Sequence, residues 1–336
     1  MEKLFNQRTI IILLIVFALI FPLIYADNRY VLHVMTLGFI FTISVYGMNI
    51  IAGFTGQLSL AHAGFFAIGA YSLGILTTQQ EMNFWLALVL AVLITAVAGF
   101  VLGLIALRTK EHFFAIYTLV VGYLIYLLID KWDTLTGGVR GLIGIPMPDP
   151  IGPLVFESAA SMYYLVLFFL LVSIFIAVRI VKSLTGRTYI AIRNSEELAQ
   201  TLGINTRLNK LVSFVISVSY AGLAGALYAG LTRFIGPDVA STNMVFNFLM
   251  YLIVGGIGTL SGPLVGTMLF IWLEQFLRSY QEYQMLIFGP ILVLTVIFFP
   301  SGIVGGFYKL KTKFQRVKKP KEVREFKPIP VKSMKK

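Results

Sequence analysis

Uninterrupted apolar runs dominate this chain, and they restrict the folds that it can adopt. Residues 84–107 read FWLALVLAVLITAVAGFVLGLIAL, a run of 24 positions without one charged side chain. A helix needs about 20 predominantly apolar residues to cross a bilayer. The runs lack the apolar–polar alternation of barrel strands, and backbone polar groups must be satisfied in lipid, so helices are predicted. The expected fold class is an all-α polytopic membrane protein.

The composition supports this class and excludes several kinds of site. Hydrophobic residues make up 58% of the chain and charged residues only 12%, whereas soluble domains are about 25% charged. The chain has no cysteine, so disulfides and thiolate metal sites are excluded. Its three histidines, His33, His62 and His112, are too scattered for a zinc site. We therefore expect neither a metal nor a cofactor.

Hydropathy predicts ten transmembrane helices, or eight if two short segments are re-entrant. The first run, Thr9–Tyr25, is interpreted as a retained span because it is longer than a signal-peptide core and lacks a cleavage site. Whether the short segments 58–76, 244–258 and 262–277 cross fully is left open. The ten predicted spans are 9–25, 31–52, 58–76, 84–107, 113–129, 163–181, 211–232, 244–258, 262–277 and 284–300.

Charge orients these spans. The loops 108–112 and 179–210 are basic, whereas the loop 130–162 carries Lys131 and Arg140 against four acidic residues. Basic loops stay cytoplasmic, so both termini are predicted to be cytoplasmic and the protein to lie in the inner or plasma membrane.

Most of the net charge of +12 comes from the C-terminal end of the chain. After Pro300 there are twelve lysines and arginines and two glutamates. Residues 1–304 are predicted to form one transmembrane domain, and 305–336 a disordered basic tail that lies on anionic membrane lipids. Nucleic-acid binding is disfavoured because no folded basic domain is present.

The predicted spans contain almost no ionisable side chains, and Glu274 is the clearest exception. Proton-coupled carriers usually place carboxylates or histidines at depth, so a secondary carrier is disfavoured. The chain also lacks the G-x4-G-K-[ST] loop that binds ATP in many proteins. No nucleophile–base constellation stands out either, so no enzyme is expected, and if the protein does driven work, the energy must come from another chain.

Two glycine-containing segments resemble each other across a separation of 202 residues. Five positions of 53–64 match five of 255–266, and paired glycine-interrupted segments are typical of transporter pathways. Helix packing by the glycines, a helix end at Gln57 and a structural hydrogen bond of His62 are open alternatives. The pathway candidates are Gly53, Gly56, Gln57, Ser59, His62, Gly64, Gly255, Gly258, Ser261 and Gly266.

The basic loop contains a predicted short helix outside the membrane. Asn194 followed by Glu197 is typical of a capping box, and Gly203 is a natural helix stop. A helix of about 195–202 is expected, with Leu198 and Leu202 on one face. Two turns of helix are marginal alone, so it either rests on lipid or its own bundle, or it docks in a partner's groove.

Six motifs, in order, resemble the permease subunits of ABC importers for branched-chain amino acids. They are GFTGQLSLAHAGFFAIGAY, RTKEHFFAIYTL, KWDTLTGGVRGLIGIP, AIRNSEELAQTLGIN, SYAGLAGALYA and VGGIGTLSGPLVG. The resemblance covers roughly 35–305. The loop Trp132–Pro146 is similar to the W-D-x-L-T-G-G loop of one of the two paralogous permeases. The resemblance implies an ABC importer permease fold, a second permease, two cytoplasmic ATPases and a periplasmic or lipid-anchored solute-binding protein.

The same resemblance assigns roles to two segments. Residues 195–203 match the E-A-A-x3-G pattern of the ATPase-coupling helix, although Leu198 replaces its first alanine. The loop 130–146 becomes a platform for the binding protein, or its glycines only make turns. The coupling candidates are Arg193, Glu196, Glu197, Leu198, Ala199, Leu202 and Gly203. The platform candidates are Trp132, Thr136, Gly137, Gly138 and Gly141.

The implied function is ATP-driven import of leucine, isoleucine and valine, with this chain forming half of the pathway. Similar permeases carry urea, short amides or simple sugars, so the substrate stays open. An ATP-independent channel would need no coupling helix. A purely structural scaffold gives no reason for the paired glycine segments.

Overall fold

The computed structural model describes residues 7–107, 111–278, 289–290, 293–295, 297–298 and 302–306. Within these residues the chain is almost entirely helical, as the apolar runs predict. The helices are α1 (Gln7–Ile24), α2 (Arg29–Met48), α3 (His62–Thr78), α4 (Phe84–Ala106), α5 (Glu111–Lys131), α6 (Asp133–Thr136), α7 (Ala159–Lys182), α8 (Leu184–Asn194), α9 (Glu196–Thr201), α10 (Thr206–Thr232), α11 (Thr242–Gly255) and α12 (Gly262–Phe276). A π-helical segment (Asn49–Phe54), two 3₁₀ turns (Gly138–Arg140 and Pro237–Ala240) and the strands β1 (Leu142–Ile143) and β2 (Phe234–Ile235) complete the described structure.

Within the residues that the structure describes, five helical stretches are long and apolar enough to cross a membrane, and each coincides with a predicted span. They are Arg29–Phe54, Phe84–Ala106, Phe113–Lys131, Ala159–Lys182 and Thr206–Thr232. The first predicted span corresponds to α1. Its apolar part, Ile15–Ile24, is shorter than the five stretches above. The last predicted span, 284–300, and the tail, 305–336, lie largely outside the described residues.

The three short predicted spans form helices that are shorter than a bilayer core. α3, α11 and α12 contain 17, 14 and 15 residues. At 1.5 Å per residue they are roughly 21–26 Å long, against about 30 Å of hydrocarbon. Each of the three therefore needs the neighbouring non-helical backbone to complete any crossing, and such backbone must be buried in protein or line water.

The centre of the bundle is formed by α2, α3, α4 and α10, which approach each other through glycines. A methyl group on Gly69 of α3 would lie 2.2 Å from the carbonyl oxygen of Gly222 in α10, and one on Gly222 would lie 2.6 Å from Thr95 in α4. A methyl group on Gly225 would lie 1.9 Å from the carbonyl oxygen of Phe66. Small residues let the helix backbones come this close, so α10 is buried between its neighbours.

One end of α10 is joined to the acidic loop by a small sheet. β1 and β2 pair antiparallel, with Leu142 opposite Ile235 and Ile143 opposite Phe234. The Tyr71 hydroxyl in α3 donates to the carbonyl oxygen of Ile235 at 3.3 Å. The loop 130–146 is thereby held against both α3 and the chain that follows α10.

The other end of α10 lies beside the two short helices α8 and α9. The predicted helix at about 195–202 is present as α9, but the predicted capping residue Asn194 is wrong. Asn194 ends α8, and Ser195 adopts the extended conformation and accepts a hydrogen bond from the Leu198 amide at 3.2 Å. Asparagine and serine cap almost equally well, and the chain breaks where α8 ends, one residue later than the sequence pattern suggests.

Candidate functional site at the paired glycine breaks

The two glycine-containing segments interrupt helices in the same way. In the first glycine break (residues 49–61), α2 continues into the π-helical segment and the chain then stays non-helical until His62. In the second glycine break (residues 255–261), α11 ends and α12 begins at Gly262. Gly56 and Gly258, which match in the sequence repeat, have φ of +82° and +72°. Only glycine adopts this conformation easily, so the repeated sequence corresponds to a repeated backbone geometry.

The two breaks contact each other directly. A methyl group on Gly53 would lie 2.6 Å from the Gly258 nitrogen. Asn49 Oδ1 accepts a hydrogen bond from the Gly258 amide at 2.8 Å, and Asn49 Nδ2 donates to the Thr259 carbonyl oxygen at 2.8 Å. The Tyr46 hydroxyl donates to the Leu260 carbonyl oxygen at 2.7 Å. Side chains of α2 and its extension thus satisfy backbone groups that the second break leaves without helical partners.

Arg193, in the last turn of α8, touches both breaks. Its Nη1 donates a hydrogen bond to the Gly53 carbonyl oxygen. A methyl group on Gly56 would lie 2.7 Å from Arg193 Cγ, and one on Gly258 would lie 2.7 Å from Arg193 Nη1. The absence of a side chain at Gly56 therefore makes room for the aliphatic part of Arg193, and its absence at Gly258 makes room for the guanidinium group.

The polar side chains of the first break are buried inside the protein. Gln57, Ser59 and His62 are all less than 6% exposed. His62 Nε2 lies 2.8 Å from the Ser44 carbonyl oxygen and donates to it. In the part of the chain that the structure describes, Gln57 Oε1, Ser59 Oγ and His62 Nδ1 have no hydrogen-bond partner. The His62 bond is the structural role that the packing alternative expects, while the three unpartnered atoms keep a polar interior next to the break.

Other glycines of the repeat serve close packing. A methyl group on Gly266 would lie 1.9 Å from the Tyr251 carbonyl oxygen, and one on Gly255 would lie 2.1 Å from the Gly262 carbonyl oxygen. A methyl group on Gly64 would lie 3.0 Å from Ile125 Cδ1 in α5. Ser261 precedes α12, and its side chain makes no capping hydrogen bond. The glycines among the pathway candidates thus separate into a contact centred on Gly53, Gly56 and Gly258 and a set of helix-packing positions.

The short helix α9 has one face bound to the bundle. Ala199 is buried, and Glu196 forms an ion pair with Lys210 of α10. Gln200 Nε2 donates to Thr206 Oγ1 at 3.1 Å. Of the coupling candidates, Glu196 and Ala199 therefore hold the helix in place and do not face outward.

The opposite face of α9 is exposed among the residues that the structure describes. Leu198 is 61% exposed and Leu202 is 71% exposed, and Glu197 beside them is exposed too. Gly203, with φ of +80°, ends the helix. Leu198 and Leu202 are four residues apart and form one apolar patch. Such a patch is unfavourable in water unless a partner covers it, so this face is suited to a hydrophobic groove.

The platform candidates form a tight turn at the other end of the bundle. Thr136 is buried, and its hydroxyl donates to the carbonyl oxygens of Ile129 and Trp132 at 2.6 Å and 2.8 Å. Gly137, Gly138 and Gly141 all have positive φ. This is the geometry that the turn-forming alternative expects. Trp132 differs from the other four platform candidates because its side chain is half exposed.

Sequence reasoning missed Asn49, Tyr46 and Lys210. The signal available for Asn49 was a single amide side chain in the apolar run 31–52, because a polar group at membrane depth usually has a specific partner. Its partners lie 209 and 210 residues away along the chain, and no local pattern identifies them.

Comparison with known proteins gives a consistent set of similarities. A family model described as branched-chain amino acid transport system / permease component matches residues 30–296. The high-affinity branched-chain amino acid transport system permease protein LivM of Escherichia coli (strain K12) is 30% identical over 322 residues, which cover 89% of this chain and 75% of that protein. The corresponding LivH of the same organism is 24% identical, with 81% and 93% covered. BraD of Pseudomonas aeruginosa is 23% identical, with 84% and 97% covered. No solved structure matches this chain significantly.

Proposed function

This chain belongs to the family of permease components of branched-chain amino acid transport systems, and from that membership we propose that it forms half of the pathway of an ATP-driven importer for leucine, isoleucine and valine. It is a multi-pass membrane protein and a transport subunit, and the ATPase activity of such importers resides in separate subunits. The importer contains a partner permease and further ABC subunits.

The proposed assembly is more specific than this. The greater similarity to LivM, at 30% identity, than to LivH, at 24%, supports a heterodimer in which this chain pairs with a LivH-type paralogue. Two cytoplasmic ATPases bind below, and a periplasmic or lipid-anchored solute-binding protein delivers the substrate from the other side. Trp132, exposed on the acidic loop, is the proposed first contact for that protein.

The observation that carries the proposed mechanism is a continuous connection from α9 to the glycine breaks. Leu198 and Leu202 form the exposed end of this connection. Ser195 is the only residue between α9 and α8, and Arg193 in the last turn of α8 binds the Gly53 carbonyl oxygen. A displacement of α9 by an ATPase therefore reaches the contact between the two breaks through fewer than ten residues of chain.

The transport cycle follows from this connection. ATP binding closes the ATPase dimer and moves the docked α9. Arg193 transmits the movement to Gly53, in the π-helical segment, and to Gly258, where the backbone has already left the helical path. The bundle then alternates between outward and inward access. Selectivity rests mainly with the binding protein, since the spans contain almost no ionisable side chains that would hold a small zwitterion.

The proposed orientation places both termini in the cytoplasm. α10 begins beside α9, in the basic loop, and ends beside β2, which holds the acidic loop 130–162. The two loops of opposite charge are thus at opposite ends of one helix of 27 residues. This arrangement supports a cytoplasmic position for the basic loop and an outer position for the acidic one.

The test is uptake by the reconstituted complex. This chain, its partner permease and the ATPases are placed in proteoliposomes with binding protein, and uptake of labelled leucine, isoleucine and valine is measured with and without ATP. We expect ATP-dependent uptake of all three that excess urea does not reduce. Competition by urea would favour the urea and short-amide alternative. Rapid solute flux through this chain alone, without ATP, would show a channel.

A further inference from the structure

A polar pocket lies between α2 and α12 at the end of the bundle opposite the glycine breaks. It has a volume of about 280 Å³, and its polar walls include Tyr30 and His33 from the start of α2 and Glu274 and Gln275 from α12. Arg278, just beyond α12, completes the wall, and Val34 and Leu37 supply an apolar side. Given the proposed orientation, the pocket is at the outer end of the chain.

The pocket contains opposite charges that are not paired with each other. Glu274 and Arg278 are four residues apart, a spacing that places side chains on the same helix face and usually allows an ion pair. Among the described residues, neither forms an ion pair. Each has a different neutral partner instead, since Glu274 Oε1 accepts a hydrogen bond from the Tyr251 hydroxyl, and Arg278 Nη1 donates to the Tyr30 hydroxyl at 3.4 Å.

These hydrogen bonds hold the Glu274 carboxylate and the Arg278 guanidinium at separate positions in the pocket wall. The Arg278 guanidinium also lies 5.8 Å from the centre of the Tyr30 ring, a cation–π distance. Tyr30 itself donates to Gln275 Oε1. A carboxylate and a guanidinium held apart in this way complement a molecule that carries an ammonium and a carboxylate on the same carbon, because charge-assisted hydrogen bonds are the strongest that side chains make.

From this arrangement we infer that the pocket binds the backbone of an α-amino acid, with Glu274 on its ammonium group and Arg278 on its carboxylate. Val34 and Leu37 contact the apolar side chain of the ligand. This inference rests on the proposed function and adds to it an acceptor site in the permease itself for substrate that the binding protein releases. It also gives a reason for Glu274, the ionisable side chain within α12, since such groups at membrane depth are costly and usually functional.

The test separates the two charges by using ligands that lack one of them. The complex of this chain, its partner permease and the ATPases is purified without binding protein or ATP, and binding of tritiated leucine is measured by scintillation proximity. Leucinamide, which lacks the carboxylate, and 4-methylpentanoate, which lacks the ammonium group, serve as competitors. We expect the wild-type complex to prefer leucine over each by about tenfold or more.

The variants should remove these preferences one at a time. Glu274→Gln should abolish the preference over 4-methylpentanoate and keep that over leucinamide. Arg278→Gln should do the reverse, and Arg278→Lys, which retains the cation, should preserve both. Glu81→Gln, which removes an exposed carboxylate in the turn between α3 and α4, is the matched control and should change neither preference.

Two results would overturn the inference. If both variants weaken both preferences equally, or only impair assembly of the complex, the side chains anchor α12 at the membrane interface, as tyrosine and arginine often do. If the wild-type complex binds no leucine but imports it when binding protein and ATP are added, the pocket has no substrate role and the proposed function stands. Absence of leucine import in the wild type would instead contradict the proposed function.

Discussion

Arg193 Nη1 donates a hydrogen bond to the carbonyl oxygen of Gly53, 140 residues earlier in the chain. The bond joins the last turn of α8 to the π-helical end of α2. It is a bond from a charged donor to a backbone acceptor, a type that contributes about 1.5–3 kcal/mol when one partner is ionised. The connection between the exposed face of α9 and the glycine breaks depends on this contact.

Loss of the guanidinium should uncouple the two ends of the connection. For Arg193→Gln we expect ATP-driven leucine uptake to fall by about tenfold, equivalent to ~1.4 kcal/mol, while the complex assembles and its basal ATP hydrolysis stays normal. Arg187→Gln removes an exposed arginine from the same helix and should transport normally. Equal uptake by the two variants would show that Arg193 transmits nothing.

Removal of the exposed leucines should prevent the ATPases from binding to α9, which precedes any movement of Arg193. Leu198→Ser combined with Leu202→Ser leaves the bonds of Glu196 and Gln200 intact, so the permease should fold normally. We expect it to lose the ATPases on size-exclusion chromatography and to lose uptake. The control is Leu184→Ser, which changes a leucine that is equally exposed at the start of α8. Retained ATPase binding by the double variant would exclude this face as the docking surface.

The close approach of Arg193 to Gly56 can be separated from backbone strain. Gly56 and Gly144 both have φ of +82°, but a methyl group would meet Arg193 Cγ at 2.7 Å in the first case and nothing within 4 Å in the second. We expect Gly144→Ala to cost about 1–2 kcal/mol through strain alone and Gly56→Ala to lower the melting temperature further. Equal melting temperatures in detergent would contradict the tight contact between α8 and the first glycine break.

Asn49 is expected to stabilise the contact between the two breaks. Asn49→Ala removes two hydrogen bonds to the second break and leaves a backbone amide and a carbonyl group without these partners. At about 1–3 kcal/mol for each unsatisfied group, the melting temperature should fall well below that of Asn209→Ala, whose side chain donates to the carbonyl oxygen of Asn205, the residue before its own helix. A fall no larger than that of the control would mean that the breaks are held together by packing alone.

The sequence predicts the bundle well because each span is a local property of the chain. A run such as 84–107 must be helical in lipid whatever surrounds it, and α4 follows it to within one residue. The glycine breaks were predictable as interruptions, since the positive φ of Gly56 and Gly258 requires glycine. The end of α8 was not predictable, because Asn194 and Ser195 are both good capping residues.

The contacts within the site were not predictable from one sequence. Asn49, Gly258 and Thr259 meet through the fold, and nothing near Asn49 in the chain indicates its partners. The sequence pattern places Arg193 with the coupling helix because it lies three residues before the first residue of α9 in the chain. Its side chain does not join the exposed leucines of α9. It bonds to Gly53, because the two glycine breaks leave space there.

The length of α10 has a consequence for communication across the membrane. Its 27 residues extend about 40 Å, with the Lys210–Glu196 ion pair near one end and the β1–β2 sheet at the other. A protein that docks on the acidic loop and an ATPase that docks on α9 would therefore both act on α10. Thermodynamic reciprocity then requires that, if nucleotide state alters affinity for the external protein, that protein alters nucleotide affinity by the same factor.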